Sequence, residues 1–179
     1  MTANVFKKLL DEIRAKAAAA TDLAALEDFI VELIPRHLPY YNWTGFYMLD
    51  AHDARMLVLG PFRGAPTEHT RIPVDRGICG AAVAQDQTVV VEDVTADPRY
   101  LACSLETRSE IVVPVRAGGC VVGEIDVDSH TLAAFSADDR RFLEACAEAV
   151  GAAIERLEAK SPAEQGNRMN AINQLQQRF

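Results

Sequence analysis

The run Glu124-Ile125-Asp126-Val127-Asp128-Ser129 constrains the fold more than any other stretch. In an extended chain successive side chains point to opposite faces, so Asp126 and Asp128 share one face while Ile125 and Val127 enter a core. The preceding segment, Ser109-Glu110-Ile111-Val112-Val113-Pro114, also reads as a strand and places Glu110 at its start. Ile111 to Val115 and Cys120 to Val127 pair as a hairpin through the Ala117-Gly118-Gly119 turn. Carboxylates on strands that otherwise look buried are costly and need a reason. Cys103 stands shortly before them, and a thiol beside acids that hold or donate protons points to redox chemistry on a small polar molecule.

The rest of the chain arranges helices around such strands. Val5, Phe6, Leu9, Leu10 and Ile13 form one stripe of a helix over residues 4–19. Thr21-Asp22 starts a second helix, whose Leu23, Leu26, Phe29, Ile30, Leu33 and Ile34 recur at three- and four-residue steps until Pro35. Trp43 to Leu49 and Met56 to Leu59 predict two strands around a polar turn, and Arg71 to Val74 a short extended piece. Gly77 to Gln85 predicts a small helix and Thr88 to Val91 a strand. Asp97-Pro98 marks a turn. Ser136 caps a last helix with Asp138 and Asp139 in its first turn and Phe142, Leu143, Cys146, Val150, Ile154 and Leu157 on one face. The expected class is α+β, a central antiparallel sheet with flanking N- and C-terminal helices. The expected organisation is a helix over 1–20, a domain over 21–160 and a polar tail over 161–179.

Composition narrows the function. With 179 residues, 49% of them hydrophobic, the chain suits one domain with a substantial core. A formal net charge of −8 argues against nucleic acid and anionic membranes. No apolar run is long enough to cross a bilayer and no signal-like start is present, so a cytoplasmic setting with reduced cysteines is expected. Four cysteines, Cys79, Cys103, Cys120 and Cys146, without a CxxC pair, fit neither a disulfide scaffold nor a zinc ribbon.

Several motifs then occur in order: Asn42-Trp43-x-Gly45-Phe46-Tyr47, Leu57-Val58-Leu59-Gly60-Pro61-Phe62, Arg71-Ile72-Pro73, Gly77-Ile78-Cys79-Gly80, Ala102-Cys103, Ser109 to Pro114, and Asp126-x-Asp128-Ser129. Together they resemble a GAF domain, and within that family the free methionine-(R)-sulfoxide reductases, over residues 23–157. The resemblance implies a GAF-like sheet with a ligand pocket in front. It implies that Cys103 attacks the sulfoxide sulfur and becomes a sulfenic acid, and that Cys79 condenses with it to a disulfide reduced by thioredoxin or another thiol. Glu110, Asp126 and Asp128 match the carboxylates around the substrate, while Trp43 and Tyr47 match the aromatic wall near its S-methyl group. No cofactor is implied beyond the reductant. A homodimer formed through the terminal helices is expected, although one domain's core can absorb the same apolar stripes.

Two positions depart from the family pattern. His69 stands where a third cysteine is usual, two residues before Arg71, and Ser104 follows Cys103 where an acid is usual. His69 is open to three readings: an exposed loop histidine, a group that lowers a neighbouring thiol's pKa, or, with Cys79 and Cys103, a ligand for zinc, iron or copper. The alternatives to a reductase are therefore a non-catalytic GAF sensor of a small molecule and a metal-dependent oxidase or dioxygenase of a sulfur compound. Cys120 and Cys146 read as packing residues, and His37, His52 and His130 as exposed.

Overall fold

The computed structural model describes residues 2–101 and 104–160. Two helices, α1 (Thr2–Ala19) and α2 (Leu23–His37), precede strands β1 (Trp43–Leu49), β2 (Met56–Arg63) and β3 (Arg71–Pro73). Helix α3 (Gly77–Gln85) and strand β4 (Val89–Val91) follow, then β5 (Ser109–Ala117), β6 (Cys120–Ser129) and helix α4 (Ala137–Glu158). The strands form one six-stranded sheet in the order β3-β2-β1-β6-β5-β4, every neighbouring pair antiparallel. The class is α+β, as the pattern of the sequence requires.

The apolar stripe of α1 packs into the same core as those of the other two long helices. Phe6, Leu9 and Ile13 join Leu26, Ile30 and Ile34 of α2, and Phe142, Leu143, Cys146, Val150 and Ile154 of α4, in one core. The sheet closes this core with Phe46, Ile111, Val113, Val115, Ile125 and Val127. Cys146 is thus a packing residue, and His37, His52 and His130 are exposed. No helix among the described residues is long and apolar enough to cross a membrane.

Local chemistry explains the boundaries. The Asp22 side chain accepts from Ala25 N at 3.2 Å and starts α2. Helix α2 passes through Pro35, where the sequence predicts its end, because Ile34 and Leu38 bury in the core and Leu38 N still donates to Ile34 O at 3.0 Å. Strand β2 runs four residues beyond Leu59, pairing Phe62 with Gly45 and Arg63 with Thr44. The register shift between Gly45 and Tyr47 is a bulge at Gly60-Pro61, which accommodates a proline within the strand. Ser136 and Asp139 form a reciprocal capping box on α4. Asp139, itself buried, also accepts from the Tyr40 and Tyr41 hydroxyls at 2.6 and 3.0 Å, tying the start of β1 to this helix.

Candidate functional site

The opposite face of the sheet carries the acids. The β6 alternation turns Glu124, Asp126 and Asp128 away from the helical core that takes Ile125 and Val127. The registers line up their neighbours: Tyr47, Gly45 and Trp43 on β1 lie opposite Glu124, Asp126 and Asp128, and Pro114, Val112 and Glu110 on β5 lie opposite the same three. One face of three strands therefore presents four carboxyls between two aromatic rings and a valine. Sequence reasoning identified three of the four and missed Glu124. The signal was present, since the spacing that pairs Asp126 with Asp128 also includes position 124.

Helix α3 covers this face. Ile78, Cys79, Ala82 and Val83 bury against Trp43, Tyr47, Val91 and Val112 in a second apolar cluster. Cys79 Sγ lies 3.6 Å from Asp126 Oδ2 and 4.0 Å from Glu110 Oε1, and its single S–H is placed to donate to either oxygen. Gly77 begins the helix with φ of +75°, and a Cβ there would press into Leu101. Gly45 is bare for a related reason: the Trp43 indole lies across it, in the space a side chain would take. Trp43 stacks between Tyr47 and Phe62, with centroids 6.2 and 5.4 Å away, and its Nε1 donates to Ala65 O at 3.1 Å. The Tyr47 hydroxyl donates to the His69 carbonyl at 2.8 Å.

All four carboxyls are at most 5% exposed, and among the described residues none forms an ion pair. Burial disfavours their charged forms and raises every one. Glu124 is pushed up to about 8 by desolvation, against the lowering effect of the Cys79 thiol. Asp126 also rises to about 8, through desolvation and then the neighbouring Glu124. Glu110 and Asp128 stand well above the carboxylate range, desolvation first and adjacent acids next. Thr107 offers Asp128 a partly compensating hydrogen bond. Arg99, whose guanidinium feels the Glu110 carboxyl, is committed to Asp97 at 2.6 Å. Near neutral pH such a cluster holds protons. Neutral carboxyls donate to a polar oxygen, and any one that ionises receives a cationic group.

Cys103 and Ala102 lie outside the described residues, and so does the 161–179 tail. His69 is half-buried in the loop between β2 and β3, where its backbone carbonyl receives the Tyr47 hydroxyl. Among the described residues, the group whose ligand atoms could meet on one metal ion is Cys79, Glu110 and Asp126, all buried, and His69 is not in it.

A family model for the GAF domain matches residues 5–154. The chain belongs to the GAF domain family. This GAF domain is 38% identical over 149 residues to protein YtsP of Bacillus subtilis, spanning 83% of the chain and 90% of the relative. It is 36% identical over 132 residues to the free methionine-R-sulfoxide reductase of Escherichia coli, 74% of the chain and 78% of that protein. The substrate-bound structure of free methionine-R-sulfoxide reductase from Neisseria meningitidis superposes with a TM-score of 0.84 at 36% identity, covering 89% of this chain and 94% of that one.

Proposed function

We propose that this GAF domain reduces free methionine-(R)-sulfoxide with its own thiols. The observation that carries the reading is the placement of the Cys79 thiol directly over a buried, proton-holding set of acids, in a chain homologous to reductases of that name. In the reaction the Cys103 thiolate attacks the sulfoxide sulfur, and a neutral carboxyl among Glu110, Asp126 and Asp128 protonates the departing oxygen. The protonated oxygen passes from the substrate sulfur to the Cys103 sulfur, the sulfur–sulfur bond breaks with its electron pair going to the substrate, methionine leaves, and Cys103 is left as a sulfenic acid. The Cys79 thiol then attacks that sulfur, a disulfide forms and water departs. Thioredoxin or another dithiol returns both sulfurs to thiols and is itself oxidised.

The chain enters the Cys103 segment with Leu101 packed on Gly77, two residues before Cys79, which supports a meeting of the two sulfurs. An ionised member of the acid set suits the substrate ammonium, and the Trp43 and Tyr47 rings suit its S-methyl group. Purified protein given L-methionine-(R)-sulfoxide and dithiothreitol is expected to release methionine. Cys103→Ser abolishes this release, whereas Cys79→Ser permits about one turnover and then stalls with thioredoxin as reductant. Turnover declines as pH rises through about 8, where Asp126 gives up its proton. Failure to consume the (R)-epimer under either reductant overturns the reading.

A further inference from the structure

The geometry around Cys79 also matches a metal centre. Cys79, Glu110 and Asp126 each offer one ligand atom, and these atoms lie within 4.8 Å of one another. A tetrahedral zinc-type ion about 2.3 Å from sulfur and about 2.0 Å from oxygen holds those two ligands roughly 3.5 Å apart. The observed sulfur–oxygen separations are 3.6 Å to Asp126 and 4.0 Å to Glu110. The sulfur–oxygen pairs therefore need only small adjustments, while the two carboxylate oxygens, within 4.8 Å of each other, must draw together to roughly 3.3 Å to close on an ion.

A second observation is independent of that triangle. Glu124 is fully buried on the same face, and neither of its carboxyl oxygens has a hydrogen bond of standard geometry among the described residues. Asp126 Oδ1 is in the same condition. Unsatisfied carboxyl oxygens at zero exposure are costly, and a cation is the group that satisfies several at once. One thiolate with carboxylates selects a borderline ion. Sulfur disfavours magnesium and calcium, and the oxygens disfavour copper(I).

We propose that Cys79, Glu110 and Asp126 bind a divalent cation of the zinc type, with Glu124 as the fourth ligand, and that the bound cation blocks the thiol's redox chemistry. Binding releases the thiol proton and those of the ligating carboxyls and leaves the oxidation states unchanged. Only the blocking step rests on the reductase reading, because a metal-held Cys79 sulfur cannot condense with a sulfenic acid.

The test uses the full chain with zinc chloride in calorimetry and cobalt(II) as a spectroscopic substitute. One equivalent of zinc at micromolar affinity or tighter is expected, with a thiolate-to-cobalt charge-transfer band. Cys79→Ser removes the band and weakens zinc at least about 100-fold, and Glu124→Gln weakens it about 10-fold. Cys103→Ser and Cys120→Ser leave the band in place. Zinc slows iodoacetamide labelling of wild-type Cys79, read by peptide mapping, at least about 10-fold, a measurement that needs no variant to fold. Absence of stoichiometric zinc, or a cobalt band that survives Cys79→Ser, overturns the site. Sulfoxide turnover undiminished by saturating zinc overturns the blocking. None of the binding readouts depends on sulfoxide turnover, so a failed reductase assay and a failed metal site are told apart.

Discussion

The two faces of the central sheet are made from the same strands and obey opposite chemistry. Under α1, α2 and α4, residues Phe46, Ile111, Val113, Val115, Ile125 and Val127 are fully buried and apolar. One residue along each strand, under α3, the side chains are Glu110, Glu124, Asp126 and Asp128 beside Trp43, Tyr47 and Val112, buried almost as completely. Apolar burial on the first face stabilises the fold at about 25 cal/mol per Å². Acid burial on the second opposes folding unless the groups keep their protons. A sheet can host a site of this kind because its other face supplies the stability that the acids withhold.

The largest effect that separates the faces is a pair of substitutions one residue apart. Ile125→Ala is expected to destabilise the protein by about 2–5 kcal/mol in urea unfolding, since it leaves a cavity in the helical core. Asp126→Asn at pH 7 should change stability by less than about 1 kcal/mol, because Asp126 already holds its proton there and the amide has the same shape. A large loss from Asp126→Asn would mean that the acid face is structural.

A second contrast appears in pH dependence. Glu124 titrates near 8 in the folded protein and near its ordinary value when unfolded, so the folded state holds the extra proton between those limits. Stability therefore falls as pH rises across that window, by about 1.4 kcal/mol per pH unit at most for one such group, and that group's contribution levels off above about 8. Glu110, Asp126 and Asp128 act in the same direction. Unfolding midpoints between pH 5 and 9 should show the decline, and Glu124→Gln should make it shallower while the other three acids sustain the rest. The same series on an Ile125 variant should keep the wild-type slope from a lower starting point.

The smallest effect is at Tyr47, an aromatic residue on the acid face that behaves like a core residue. Tyr47→Phe removes the hydroxyl bonded to the His69 carbonyl and is expected to cost about 1 kcal/mol. A near-zero result would show that water replaces this bond.

Particular residues show how far the sequence could be read. The alternation at Ile125, Asp126, Val127 and Asp128 announced both faces, and the three- and four-residue steps of the terminal helices announced the core beneath one of them. Pro35 was misleading because a proline's local preference is overridden when the residues around it, Ile34 and Leu38, are held in a core. The extension of β2 to Arg63 was invisible because Gly60-Pro61 reads as a break, and only pairing with β1 converts it into a bulge. Glu124 obeyed the alternation, yet an acid in mid-strand on a sheet face looks solvated until a helix is seen to cover that face.

Strand periodicity, helix stripes and capping residues are local, so composition and spacing alone determined the elements, the α+β class and the facing of each acid. The tertiary structure decided that α3 closes over the acids and that the Cys79 sulfur comes within 4.0 Å of two of them. It also decided that burial holds all four carboxyls in their proton-bearing range. The reason is that desolvation and proximity depend on residues distant in the chain, and no local pattern encodes which of them will meet.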